Sequence, residues 1–393
     1  MKILLLSFYF KPDIGPGALR ADSLIKALIE EGKKDIEIDI FTTFPNRYKS
    51  YQIQSKSYED QEMIRVHRAK LPEHRSGMFD QTRAFLSYAK FVLNGAKNKE
   101  WDIIVATSSR LMTASLATYL AKKKNSKLYL DIRDLFTDTM KDILNNNPLR
   151  ITLPFFRWLE KITLTSADRL NLVSEGFIDH IKQIEPNLKP TIYTNGIDEE
   201  FLNIKNISLN KKGYLPKILY AGNIGDGQAL QKIIPDIAKN CSDFCEFYIY
   251  GDGGRRSILE SEVNKSGVQN VFIRNPIPRK ELLEKYSEAD ILLIHLNDIN
   301  AFRKVLPSKI FEYAASGKPI LAGVSGYAAE FLLKQVSGVA VFSPCDPLDM
   351  KSALIRLLSG PNFFDRNEFC SQYLRRNIMK KMAHDILDLH EIN

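Results

Sequence analysis

Short apolar runs alternate with longer stretches of helical periodicity along this chain, and the alternation comes in two successive series. In the first, Lys2–Phe10 (KILLLSFYF), Ile36–Thr42, Met63–Ala69, Ile103–Ala106, Leu128–Ile132, Leu170–Val173 and Thr191–Tyr193 read as strands. Ala21, Leu24, Ile25 and Leu28 recur at helical spacing before a stop at Gly32, and further helical stretches fall near 79–98, 110–123 and 148–167. In the second, Lys217–Ala221, Cys245–Tyr250, Val271–Ile273, Ile291–His295, Ile320–Ala322 and Val339–Phe342 are the strands. Such alternation builds a parallel, doubly wound sheet, because parallel neighbours need a crossover and the helix supplies it. The expected class is α/β, with two Rossmann-like domains facing across a cleft.

Residues 198–216 separate the two series, losing periodicity and gathering Asn, Lys and Gly as a linker would. The expected organisation is a first domain over 1–197, a linker over 198–216 and a second domain over 217–364. A charged helical tail over 365–393 then packs back toward the first domain. A length of 393 residues suits two domains.

Hydrophobic residues make up 44% and charged residues 26%, which excludes wholesale disorder. No run has the length of a membrane span, and the apolar start is too short for a signal peptide. Cys241, Cys245, Cys345 and Cys370 form neither a CxxC pair nor a zinc spacing and read as reduced thiols, so a cytoplasmic location is expected. Residues 1–195 carry 30 Lys and Arg against 23 Asp and Glu, a net +7, whereas residues 196–393 carry 25 against 24, a net +1. A basic first half suits an anionic partner or is a solvated surface. No nucleic-acid-binding signature accompanies it, so nucleic acid is disfavoured.

Two motifs carry chemistry. In the loop Lys11–Gly17 (KPDIGPG), Gly15 and Gly17 allow close approach of backbone to a ligand at a helix N-terminus, or simply make a strand-to-helix turn. In Leu306–Ile320 (LPSKIFEYAASGKPI) a helix is expected from near Pro307 to Gly317. Lys309 and Glu312, three apart, share a face near its start. A carboxylate there can accept hydrogen bonds from the vicinal hydroxyls of a ribose, and the helix start with Ser308 and Lys309 can hold a diphosphate. In isolation the two residues would also make a routine surface ion pair.

These stretches, with YTNGIDEEF at 193–201 and LYAGNIGDG at 219–227, make the chain resemble a family 4 glycosyltransferase of the GT-B fold over its full length. Within that family, LDIRDLFTDT at 130–139 and the Ala-Gly-Asn-Ile-Gly run at 221–225 are similar to the L-fucosamine transferase branch of bacterial O-antigen and capsule synthesis. The resemblance implies a retaining transferase with no enzyme nucleophile, acting by front-face displacement. A nucleotide-sugar donor, UDP-linked and of the N-acetyl-hexosamine type, would pass its sugar to a polyprenyl-diphosphate-linked saccharide. It also assigns roles. Glu312 binds the donor ribose; Ser308, Lys309, Gly15 and Gly17 surround the diphosphate. Gly222 and Asn223 line the same site, Gly251 and Gly253 approach the nucleotide, and backbone near Ile277 reads the base. Arg133 and Asp134 stand near the transferred sugar, and with Lys309 form the expected catalytic set.

The chain departs from the family pattern at three positions. The first member of the family's Glu-x7-Glu is Lys304, and the usual Arg and Lys of the second domain are replaced by Asn223 and Gln228. Lys309, or Arg303 and Lys304, would have to compensate. No Asp-x-Asp triplet occurs, so no cofactor and no metal is expected; Asp131, Asp134 and Asp138 lack a ligand spacing, Asp138 reading as a turn or cap residue, and His295 reads as a packed histidine. A UDP-sugar 2-epimerase of the same fold and a non-catalytic nucleotide-sugar-binding subunit are the competing readings. Finally, 78–93 (MFDQTRAFLSYAKFVL) and 147–164 (NPLRITLPFFRWLEKITL) mix aromatics with basic residues, suiting either an anionic inner-membrane surface or packing on the sheet.

Overall fold

The structure, a computed structural model, describes the chain except residues 33–34, 47–52, 73–77, 145–146, 205–213 and 392–393, and the side chains of Met78, Phe79 and Ile143. The described residues form two units. Unit one comprises those of 1–195 together with those of 376–393, and unit two those of 196–375.

Unit one is built on strands β1 (Lys2–Leu6), β2 (Glu37–Thr43), β3 (Tyr58–Gln61), β4 (Ile64–Ala69), β5 (Ile103–Ser108), β6 (Lys127–Ile132), β7 (Arg169–Leu172) and β8 (Thr191–Ile192). They lie in the order β3-β4-β2-β1-β5-β6-β7-β8. All pairs are parallel except β3 with β4. Ile3, Leu4, Leu5 and Leu6 are wholly buried in the central strand, each contributing about 1.5–3 kcal/mol of transfer free energy. The strand stops at Leu6 rather than Phe10, because Ser7 Oγ turns to donate to the Tyr9 carbonyl over 2.6 Å. Strand β3 escapes sequence reading because it is a four-residue, largely exposed edge (YEDQ) with no apolar run.

A buried ion pair crosses unit one. Arg20, on the helix Pro16–Gly32, meets Asp131 of β6 through Nε at 2.7 Å and Nη2 at 2.9 Å. Thr107 and Asn171 also donate to Asp131, and the carbonyls of Tyr193 and Thr194 accept from Arg20. Every strong polar group is answered, the condition under which such a pair is tolerated in a core. Asp131 is thus structural.

Unit two holds β9 (Lys217–Asn223), β10 (Glu246–Asp252), β11 (Val271–Arg274), β12 (Ile291–His295), β13 (Ile320–Gly323) and β14 (Val339–Phe342), in the order β11-β10-β9-β12-β13-β14 and parallel throughout. Successive residues face opposite cores. Leu219, Ala221, Leu292 and Ile294 enter one, and Ile218, Tyr220, Ile291 and Leu293 the other. The strand order reverses between β9 and β12, where ligand sites of open α/β sheets form beyond the strand C-termini.

The expected linker begins inside unit two. Glu199–Asn203 is a 3-10 turn whose Phe201 is buried against Tyr286, while 205–213 lie outside the described residues. Asp198 is bound by Arg375 at 2.7 Å and by Arg279, and Ile197 bridges Leu374. Of the expected tail, Phe369 and Cys370 enter a unit-two core, and the helix Arg375–Leu387 supplies Met379, Met382, Ala383 and Ile386 to the core of unit one. Among the described residues no helix is long and apolar enough to cross a membrane.

Candidate active site

The helix carrying the second motif begins at Lys309 rather than Pro307 and ends at Ala315; Gly317, at φ +70°, makes the left-handed turn beyond it. Ile310, Phe311, Tyr313 and Ala314 are wholly buried and fix the helix on the sheet. Lys309 and Glu312 therefore meet on one side. Lys309 Nζ donates to Glu312 Oε2 over 2.7 Å and to the Tyr286 hydroxyl over 3.1 Å. That phenol also reaches Glu312 Oε2, at 3.4 Å. Glu312 is 6% exposed, whereas the Lys309 side chain is 26% exposed, so the pair is half-sunk with its cation outward. Burial and the neighbouring Glu312 push the Tyr286 phenol well above its ordinary range, keeping it a neutral donor. The Tyr313 hydroxyl accepts from the Ala221 N–H at 3.1 Å, tying the helix to β9.

The ends of β9 and β10 lie beside this pair. Gly222 pairs with Gly251 and Asn223 with Asp252 in parallel register. A side chain on Gly251 would run into the Gly222 carbonyl, and one on Gly253 would meet the Ile224 carbonyl, so both glycines answer a close approach of backbones. The Lys309 stem runs past Gly222, where an added Cβ would sit 3.7 Å from its Cε. Asn223 Nδ2 donates to Gln228 Oε1 over 2.7 Å. Arg256 donates to the Gly251 carbonyl at 3.1 Å and to Asn275 at 2.6 Å, bracing the loop that holds Ile277. Ser308 precedes the helix and makes no side-chain cap. Arg303 pairs loosely with Asp298 at 3.9 Å.

His295 is structural. Its Nδ1–H donates to the Gln228 carbonyl at 2.6 Å and its Nε2 accepts from the Cys345 N–H at 3.0 Å. Burial lowers its pKa to about 4, with the Gln228 bond opposing, so it stays neutral.

In unit one, the Gly15 carbonyl accepts from Ala18 and Leu19 at the helix start, and Gly17 lies under the Arg133 guanidinium, which leaves no room for a side chain. Asp134 accepts from the Leu135 N–H at 3.1 Å. Burial pushes its carboxyl up to about 6, against the opposing pull of Arg133 and that N–H. With Ser108, Arg110, Phe136 and Glu160 it lines a narrow recess. Arg110 stacks on Phe8, 4.1 Å from the ring centre, and donates to the Tyr9 hydroxyl at 2.9 Å. Below the recess, His180 bridges Asp138 at 3.3 Å and Glu160 at 3.1 Å, and Thr137 donates to Glu160 at 2.5 Å. Asp138 is therefore no turn or cap residue: it lies in the helix Phe136–Ile143 and bonds to His180.

The structure thus gathers Lys309, Glu312 and Gly222 at one point of unit two, with Asn223, Gly251 and Gly253 on the adjoining strand ends, and gathers Gly17 and Arg133 in unit one. Tyr286 was missed, since nothing in RKELLEKYSEAD marks it; Tyr313 adjoins Glu312 in the motif itself.

A chain with two parallel-sheet units of this order has the GT-B glycosyltransferase fold, and solved structures share it over the whole length. Sucrose-phosphate synthase from Thermosynechococcus elongatus aligns with a TM-score of 0.79 at 14% identity, covering 100% of both chains. WaaG, a glycosyltransferase involved in lipopolysaccharide biosynthesis, aligns at 0.66 and 13% identity, covering 99% of this chain and 97% of that one. HepE of Anabaena in complex with UDP-glucose aligns at 0.67 and 13% identity, covering 99% of each. Residues 215–360 match the family model described as Glycosyl transferases group 1, so unit two carries a glycosyltransferase domain. No curated protein matches the sequence.

Proposed function

We propose that the chain is a retaining glycosyltransferase of bacterial O-antigen or capsule synthesis. It moves a sugar of the N-acetyl-hexosamine type, such as N-acetyl-L-fucosamine, from UDP to a polyprenyl-diphosphate-linked saccharide at the inner face of the cytoplasmic membrane. One observation carries the reading: within the group 1 domain, buried Glu312 is tied to Lys309, whose stem runs past Gly222 at the C-terminal end of β9. A carboxylate so placed accepts from ribose hydroxyls, and Lys309, released toward solvent, answers the departing diphosphate. HepE's complex with UDP-glucose supports a UDP-linked donor. The leaving phosphate takes the acceptor proton, so no nucleophile is required, and no metal is needed to balance the diphosphate.

The test is purified protein with a panel of UDP- and GDP-sugars and a polyprenyl-diphosphate disaccharide, the product's anomeric configuration being read by NMR. Loss of transfer in EDTA, restored by magnesium, would remove the metal-free part. A second reading, a non-catalytic nucleotide-sugar-binding subunit, is favoured by one observation: Asn223 and Gln228 bond to each other at the two positions where the family pattern has Arg and Lys. Binding of donor without transfer to any acceptor would select it. Change of the donor with no acceptor present would instead indicate an epimerase.

A further inference from the structure

Of the two aromatic-basic stretches, the structure separates one from the other. In the helix Met78–Gly95, Ala84, Phe85, Tyr88 and Val92 are buried and Phe91 packs on Phe41 at 5.9 Å, so its apolar face serves the core. The turn Pro148–Thr152 and the helix Leu153–Thr165 behave differently. Their inward side is complete: Leu153 joins Met140 and Leu144 in a small cluster with Phe136 and Leu149, and Glu160 is taken by His180 and Thr137. Yet Ile151 is 84%, Phe155 55% and Trp158 57% exposed. Phe155 and Trp158 stand 5.9 Å apart as one aromatic plate. Arg150, Arg157 and Lys161 are exposed along the adjacent stripe, and the helix's one acid, Glu160, is turned inward.

We infer that this face docks on an anionic bilayer, the rings entering the headgroup boundary and the three cations meeting lipid phosphates. An exposed aromatic plate flanked by cations, in a segment whose one acid faces inward, has the chemistry of an interfacial helix rather than of a solvated one. Its place fits a lipid-linked acceptor. Phe156 packs on Phe136 at 5.3 Å, two residues beyond Asp134, so the plate adjoins the segment that carries Asp134. That purpose rests on the proposed acceptor; the docking itself does not.

The experiment therefore uses no donor, no acceptor and no activity. The full chain is sedimented with phosphatidylcholine vesicles, with and without phosphatidylglycerol, at low and high salt. Binding is expected only with the anionic lipid, falling with salt and dropping on the order of 100-fold when Arg150, Arg157 and Lys161 all become Gln. Phe155→Ala with Trp158→Ala should abolish it while thermal unfolding stays unchanged, because both side chains are exposed. Trp101 is buried at 4% exposure, so quenching of tryptophan emission by brominated phosphatidylglycerol reports Trp158 in the unaltered chain, even should the double variant unfold. Absence of quenching and of sedimentation at low salt overturns the inference. So does a concentration-dependent dimer that the double variant dissolves, which would place a second copy on the plate instead.

Discussion

Lys309 Nζ rests 2.7 Å from Glu312 Oε2, and the Tyr286 phenol touches both partners. Each charge is held by the other, and a ligand at this point would have to separate them. A diol can displace the ammonium from the carboxylate, and a diphosphate gives the ammonium a stronger counter-charge than it leaves. In the proposed reading the pair serves binding as well as stability, since the buried carboxylate keeps its cation until a ligand takes that cation's place.

Glu312→Gln is expected to weaken UDP binding roughly 10–100-fold, the loss of about 1.5–3 kcal/mol from a charge-assisted pair. Isothermal titration on the folded variant checks it. Affinity equal to that of the unaltered chain would remove Glu312 from the ribose site.

Asn223 and Gln228 satisfy one another at 2.7 Å and bring no charge to the strand end. Asn223→Arg with Gln228→Lys should tighten UDP binding and steepen its salt dependence, since added cations near a diphosphate are screened by ions. Titration at two salt concentrations reads both effects; unchanged affinity at low salt would place the diphosphate elsewhere.

His180 answers to pH. Burial disfavours its charged form, but the bonds to Asp138 and Glu160 outweigh this and raise its pKa to about 9. The folded state thus holds a proton more tightly than the unfolded chain. The stabilisation is complete below about pH 6.5 and is lost as pH rises through 9, amounting to roughly 2–3 kcal/mol. Urea unfolding of His180→Gln should show that deficit at pH 6 and a narrowing gap toward pH 10. A gap constant with pH would mean that the imidazole is uncharged.

Asp134 runs the other way. Its carboxyl, raised to about 6, favours the neutral form in the fold, so stability falls as pH climbs from about 4 to about 6. Asp134→Asn should gain on the order of 1–2 kcal/mol relative to the unaltered chain above pH 7, where the native carboxylate is charged. Parallel unfolding curves at pH 4 and pH 8 test this.

Strands buried on both faces, such as Lys2–Leu6 and Ile291–His295, were legible because burial writes itself as continuous apolar runs. Tyr58–Gln61 was not, since an edge takes its pairing from a neighbour and needs no apolar side chain. The same limit applies at the site. Glu312 and Lys309 could be read from their spacing, because three residues along a helix fix a common face. Tyr286 could not, because only the folding of a separate helix brings it to them. Nor could the bond from Asp138 to His180, whose partners lie 42 positions apart. Periodicity also failed to tell the two aromatic helices apart: Phe85 and Phe155 sit in similar local patterns, and only the tertiary surroundings bury one and leave the other out.

Met379, Met382, Ala383, Ile386 and Leu389 share a core with Ile3, Leu24 and Leu28. A ribosome delivers these two groups on either side of the whole of 196–375. Synthesis at ~5–20 residues per second puts on the order of 10–40 s between the emergence of Asn195 and that of Arg376. Throughout that interval the earlier sheet waits with one wall of its core missing, while the segment from 196 to 375 leaves the tunnel whole. The later segment closes what was made earlier. A nascent chain stalled before Met379 should therefore present a protease-resistant second unit and a first unit that a holdase chaperone still grips.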